Sequence, residues 1–294
     1  MLRTLVSLAL LATSLGAQSS DPVTADPAAR DSAYPAALEE VAIPSGGARM
    51  NGMVLVAAGA GPHPLVVLLH GYPGNERNLD VAQALRRAGN DVLYFNYRGA
   101  WGSGGTFSFA NAQADVAAAL RWARTSDDAR RFRIDPRRIA LVGHSMGGWL
   151  AMLGASADTA VACVGGIDFA DMVVGHGTGV TRESDSAFTA YTKWLTTPGG
   201  PLRADPRALV ASLRAHPEWA LARHAPRLAA RPLLLVDIEE NPYHDDLTGA
   251  LRAAGAKRLT EHVWPTDHSF NDRRVALTRE VVRWVRDGCG LAER

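Results

Sequence analysis

A chain of 294 residues with 47% hydrophobic and 21% charged content is long enough for one large globular domain. Its 31 basic and 30 acidic residues leave a net charge of +1, so it carries no electrostatic footprint for nucleic acid or an anionic membrane. The two cysteines, Cys163 and Cys289, are far apart and no CxxC or HExxH spacing occurs, which argues against a metal framework; no metal and no organic cofactor is expected.

The N-terminus begins Met1-Leu2-Arg3, continues with an apolar run over 5–15, and passes through Gly16-Ala17 into polar residues. The run is shorter than the ~20 residues that span a bilayer. This order matches a secretory signal peptide over 1–17, which implies a secreted or periplasmic protein with no stable membrane anchor. Residues 18–37, rich in Asp, Ala and Pro, read as a disordered leader, and 38–290 as the folded domain. Export would permit a disulfide, but Cys163 sits in an apolar run (160–166) where a free thiol behaves as a small buried hydrophobe; a bridge to Cys289 is not expected.

Strand-like and helix-like patterns alternate from residue 40 onward. Strands are predicted at 40–43, 50–57, 65–69, 92–95, 139–142 and 161–167, with helices near 78–88, 112–124 and 146–155. The alternation then breaks between about 171 and 230, where two helical stretches (187–195 and 209–222) sit among Gly/Thr-rich turns. It resumes with a strand at 233–236, a helix near 245–254, a strand at 259–264 and a last helix carrying Leu277, Val281, Trp284 and Val285 on one face. Continuous apolar strands between amphipathic helices predict an α/β fold, a mostly parallel sheet covered on both faces. The 171–230 stretch becomes a helical lid insertion over the C-terminal edge of the sheet, where such folds bind ligands.

One string stands out. Gly143-His144-Ser145-Met146-Gly147 has the pattern G-x-S-x-G and lies between an apolar strand and an apolar helix. That turn is so tight that the residues two before and two after the serine must be small, and it pushes the hydroxyl out of the sheet. Ser145 is therefore the candidate nucleophile. A serine needs a base, and of the nine histidines His268 is singled out: it follows the last strand, in a loop at the edge where such sheets gather catalytic groups. The segment His70-Gly71-Tyr72-Pro73-Gly74 ends an earlier core strand and can aim a backbone N–H at a developing oxyanion. Pro73 has no N–H, which leaves Tyr72, with Met146 as the second backbone donor.

These segments, with Tyr97-Arg98-Gly99 and Gly102-Ser103-Gly104-Gly105, resemble the α/β-hydrolase superfamily, and the resemblance covers about 38–288 in strand order. It implies an α/β-hydrolase fold and a Ser-His-acid triad acting on a small-molecule ester or amide, with Arg98 and Gly99 as scaffold. One segment departs from the pattern. The superfamily's usual acid follows the strand that here is 233–236, and the common spacing falls on Asn241, which has no charge. Glu240 is the first choice, then Glu239, with Asp168, Asp237 and Asp245 also open. The leading function is an exported serine hydrolase of carboxylic esters through an acyl-serine intermediate. A small serine peptidase of the same fold and a catalytically degenerate binding protein are the alternatives.

Overall fold

Each central strand is apolar on both sides, and its two sides enter different cores. A computed structural model describes residues 20–175 and 182–291; the expected signal peptide lies outside them. In chain order the elements are β1 (Ala37–Ser45), β2 (Ala48–Val56), β3 (His63–Leu69), α1 (Leu79–Arg87), β4 (Asp91–Phe95), α2 (Phe109–Thr125), α3 (Asp127–Arg131), β5 (Ile134–His144) and α4 (Met146–Ala157). Then come β6 (Cys163–Ile167), α5 (Arg182–Leu195), α6 (Pro206–Ala215), α7 (Ala225–Leu228), β7 (Leu233–Ile238), α8 (His244–Ala253), β8 (Leu259–Trp264) and α9 (Arg274–Arg283).

The strands form one eight-stranded sheet in the order β1-β2-β4-β3-β5-β6-β7-β8, antiparallel at the β1-β2-β4 end and parallel from β4 to β8. The two-residue period assigns the layers. Leu65, Val67, Leu69, Ile139, Leu141, Leu233 and Leu235 face one core, shared with α2, α4 and α8. Val66, Leu68, Ala140, Val142, Leu234 and Val236 face the other, shared with α1 and α9. The sheet is thus covered on both faces, as the runs of apolar residues imply.

Differences from expectation have local causes. Residues 20–36 form neither helix nor strand, yet Val23 packs against the second core and Arg87 bonds the Pro22 and Val23 carbonyls, so this part of the leader is docked. The segment 209–222 is not one helix. α6 ends at Ala215, Pro217 starts a separate 3₁₀ turn because its nitrogen cannot extend the hydrogen-bond ladder, and a second turn follows. The short α3 and α7 carry too few residues for a periodic signal.

The expectation of free cysteines is also corrected. Cys163, at the start of β6, and Cys289, just past α9, are bridged with their Cα atoms 5.5 Å apart. Hydrophobicity placed Cys163 in the core correctly, but the docking of α9 on the same sheet face carries Cys289 to it. The closed loop spans 126 positions, so chain entropy predicts a large stabilisation. Cys163→Ala/Cys289→Ala should unfold about 2–5 kcal/mol more easily in urea. A midpoint unchanged from the oxidised wild type, or two thiols titratable in the untreated protein, would contradict the bridge.

Candidate active site

The site begins at the reversal between β5 and α4. Ser145 has φ 56° and ψ −124°, a left-handed conformation costly for a side chain with a Cβ. It persists because its neighbours leave no alternative. A Cβ on Gly143 would lie 2.1 Å from the Gly147 carbonyl oxygen, and one on Gly147 would lie 2.1 Å from that of Leu69. The turn is stitched to the next strand: Ser145 N–H donates to the Ile167 carbonyl (3.0 Å) and Ala170 N–H donates to that of Ser145 (3.1 Å). Ser145 is half-buried, so its side chain meets a cavity of about 180 Å³. His268 lines the same cavity, together with Gly71, Tyr72, His144, Tyr191 and Ser269.

His268 comes from the loop between β8 and α9. Its Nδ1 is bonded to the Asp168 carboxylate, Oδ2, in a pair whose carboxylate is 4% exposed and whose imidazole is 54% exposed. Since a carboxylate accepts, Nδ1 carries the proton and Nε2 is left as the acceptor of a neutral ring. Asp168 directly follows β6 in a left-handed conformation (φ 37°), with its N–H on the Val236 carbonyl (2.8 Å).

This corrects the choice of Glu240. After β7 the chain turns at once, Asn241 N–H closing on the Ile238 carbonyl (3.1 Å), and Glu239 and Glu240 occupy the exposed corner of that turn. Asn241 points inward instead, where its amide Nδ2 donates to Asp168 Oδ1 (2.8 Å). Asp237 remains in the strand, fully buried and bonded to His244 Nδ1 (2.6 Å), and burial pushes its carboxyl up to about 6. Asp245 is exposed in the first turn of α8.

Two buried histidines brace the loops around the cavity. His144 lies 4.5 Å, centroid to centroid, from the His268 ring, and its Nε2–H donates to the His268 backbone carbonyl (2.7 Å). His70 Nδ1–H donates to the Gly71 carbonyl (2.8 Å), which fixes the Gly71–Tyr72 peptide. A trans peptide then sends the Tyr72 N–H to the side opposite that carbonyl. Met146 opens α4, where the first N–H groups have no partner within the helix and the helix end is electropositive. A hydroxyl, an imidazole with a carboxylate behind it and unclaimed N–H donors are the components of acyl transfer through a serine.

The segment between β6 and β7 leans on this site through α5. Tyr72 Oη and Thr192 Oγ1 are 2.7 Å apart, and the Tyr72 ring packs on Phe188 and Tyr191 at 5.3 and 6.3 Å. Trp219 belongs to the scaffold instead, stacked on His216 at 4.0 Å while its carbonyl accepts from Trp149 Nε1. His176 lies outside the described residues. Arg98 is scaffold too, its guanidinium on the buried Asp115, which also accepts from Ser45.

Burial holds His144 and His70 down at about 4, so both are neutral donors. The unfolded chain takes up these protons near pH 6.5, so the stability these groups contribute is intact above that value and is lost as pH falls toward 4. Asp237, raised to about 6, works in the opposite sense, so a variant must isolate the effect. His144→Gln keeps an N–H donor and removes the titration. Between pH 7 and 4.5 it should lose about 2 kcal/mol less stability than the wild type in urea unfolding. Parallel losses in the two proteins would contradict a neutral buried His144.

Comparison with known proteins agrees with this architecture. Residues 66–290 match the model of the alpha/beta hydrolase family. An uncharacterized protein of Mycobacterium tuberculosis is 33% identical over 122 residues, 41% of this chain and 42% of its own length. A 31.7 kDa protein of Escherichia coli is 34% identical over 131 residues, 42% of this chain and 44% of its own. The chain therefore aligns with less than half the length of these curated relatives. Among solved structures, Est1E from Butyrivibrio proteoclasticus superposes with a TM-score of 0.64 at 17% identity, covering 86% of this chain and 99% of that one. A thermophilic and thermostable carboxylesterase cloned from a metagenomic library reaches 0.60 at 25% identity, covering 87% and 90%. With the family match running from β3 to the end of the folded domain, the chain belongs to the alpha/beta hydrolase family.

Proposed function

We propose that the protein is an exported serine hydrolase of carboxylic esters, with Ser145 as nucleophile, His268 as general base and Asp168 as the acid behind it. The observation that carries this reading is the convergence of Ser145 and the Asp168-backed His268 on one cavity. Ser145 Oγ attacks the ester carbonyl while its proton passes to His268 Nε2. The tetrahedral oxyanion is received by the backbone N–H groups of Tyr72 and Met146. As the intermediate collapses, the alkoxide leaves with the proton from His268, and the acyl group stays on Ser145. Water, deprotonated by the same imidazole, then releases the acid. Asp168 stays ionised and favours the imidazolium that forms in each half.

Ester chemistry is favoured by the likeness to a carboxylesterase over most of both chains. The reading as a binding relic rested on a missing acid after β7, and Asp168 supplies that carboxylate from β6. The Cys163–Cys289 bridge supports export, since oxidising compartments are where such bridges persist, and it accords with the expected signal peptide.

The acid assignment separates two carboxylates. Asp168→Asn should lower kcat on a p-nitrophenyl ester by roughly 10³–10⁴-fold, as removal of a triad acid does, whereas Glu240→Gln should remain within about twofold of wild type. Ser145→Ala should abolish turnover while leaving the unfolding midpoint near wild type. Normal turnover by a folded Ser145→Ala protein, or a larger loss in Glu240→Gln than in Asp168→Asn, would overturn the proposal.

Substrate choice should sit in α5. Tyr191 and Trp194 are 42% and 66% exposed, their rings stacked at 6.1 Å, and Tyr191 reaches the cavity. Tyr191→Ala and Trp194→Ala should change the ratio of kcat/KM between aryl and alkyl esters by about 3–10-fold, the size of an aromatic contact. Trp219→Ala should lower the melting temperature and leave that ratio alone. Equal losses on every ester in all three variants would remove α5 from specificity.

A further inference from the structure

The mechanism uses one oxygen of Asp168; the other is held by a residue with no role so far. We propose that Asn241 is the positioning residue of the acid, fixing Asp168 so that its second oxygen presents to His268. This rests on the serine hydrolase reading and extends it by one residue.

The geometry leaves one orientation for the amide. Asn241 Oδ1 accepts from the Tyr243 N–H (2.9 Å), so the NH₂ group faces the other way. There it meets three acceptors: Asp168 Oδ1 at 2.8 Å, the Phe169 carbonyl at 2.9 Å and Asp237 Oδ1 at 3.2 Å. Asp168 Oδ1 has one other donor, the Ile238 N–H at 3.4 Å. Without Asn241 the carboxylate would be held on that side only by a long hydrogen bond, and its orientation about the Cβ–Cγ bond would rest mainly on the contact with His268 itself.

Charge explains why the residue is an amide. Asp168 and Asp237 are both buried, and Asn241 donates to each. A carboxylate at 241 would place a third negative group between them. On its far side Asp237 meets His244, whose Nε2 lies 3.5 Å from Glu261, itself paired with Arg252. On the near side Asp168 meets His268, which lies against His144. The chain of polar contacts thus runs from the cavity to the surface, with Asn241 as its neutral link between two acids. Among the described residues that line the cavity Asn241 does not appear, so its route to the reaction runs through Asp168.

The N–H bond to Asp168 matters most when His268 is neutral, because an imidazolium already compensates the carboxylate. Asn241 therefore disfavours protonation of the pair, and its removal should move the acid limb of the rate profile to higher pH.

The test compares wild type, Asn241→Leu and Asn241→Asp, each with active sites counted by endpoint reaction with a fluorophosphonate. Hydrolysis and labelling by the wild type test the underlying reading on their own. For Asn241→Leu, kcat per labelled site should fall roughly 10- to 100-fold, with KM within about threefold of wild type, as expected for misplacement of a catalytic group. The acid limb of kcat/KM should move upward, and further in Asn241→Asp, which adds negative charge. A purely structural role would reduce the number of labelled sites and leave kcat per site and the pH profile unchanged. That result in Asn241→Leu and Asn241→Asp, with an active wild type, would overturn the inference and leave the serine hydrolase reading standing.

Discussion

The structure depends on one strained reversal. Ser145 is held at positive φ because the strand before it and the helix after it approach so closely that glycine is required at 143 and 147. The same closeness lets Gly148 sit 2.7 Å, measured from an added Cβ, from the side chain of Phe169. The exit of β6 is therefore locked to the turn, by backbone hydrogen bonds on both sides of Ser145. Asp168, the first residue after β6, inherits its place from that lock, and the parallel register with β7 ties its N–H to Val236. A local strain, compensated by packing and pairing around it, thus determines where the hydroxyl stands and where the carboxylate can stand.

The electrostatics of the site follow from burial. His70 and His144 lie within the fold and are kept neutral, so each acts as a hydrogen-bond donor of fixed tautomer to a loop carbonyl. His268 is more than half exposed and has a carboxylate of its own. Three histidines of the same chemistry thus have different tasks, set by solvent access and by which acceptor each one meets. Helix α5 lines the cavity with Tyr191 and grips the loop after β3 through Thr192 and Tyr72.

Much of this was legible in the sequence because it rests on periodicity and on small residues at fixed spacing. The apolar runs placed the strands of the parallel sheet, and the glycines around Ser145 are a steric requirement that composition displays directly. His268 could be singled out because strand order puts the loop after β8 beside the edge where Ser145 emerges. The carboxylate that meets His268 was legible only as one of several: Asp168 stood among the open alternatives, behind Glu240 and Glu239. Choosing Glu240 assumed that the chain runs on from β7 before turning, whereas Asn241 closes a turn on Ile238 and sends both glutamates to solvent. Asp168 is reached through a left-handed backbone conformation that no composition rule announces. The Cys163–Cys289 bridge was missed for a related reason: it depends on where α9 docks, a long-range fact invisible to local pattern.

The central claim, that Ser145 is the acylated residue, is tested most directly by reacting the folded protein with a fluorophosphonate and mapping the adduct by peptide mass spectrometry. The account predicts a single adduct on the peptide containing Ser145, and none once the protein is denatured, because the hydroxyl is reactive only beside His268. Ser269 lines the same cavity and serves as the internal control. An adduct on Ser269, or a folded protein that carries no adduct, would contradict it.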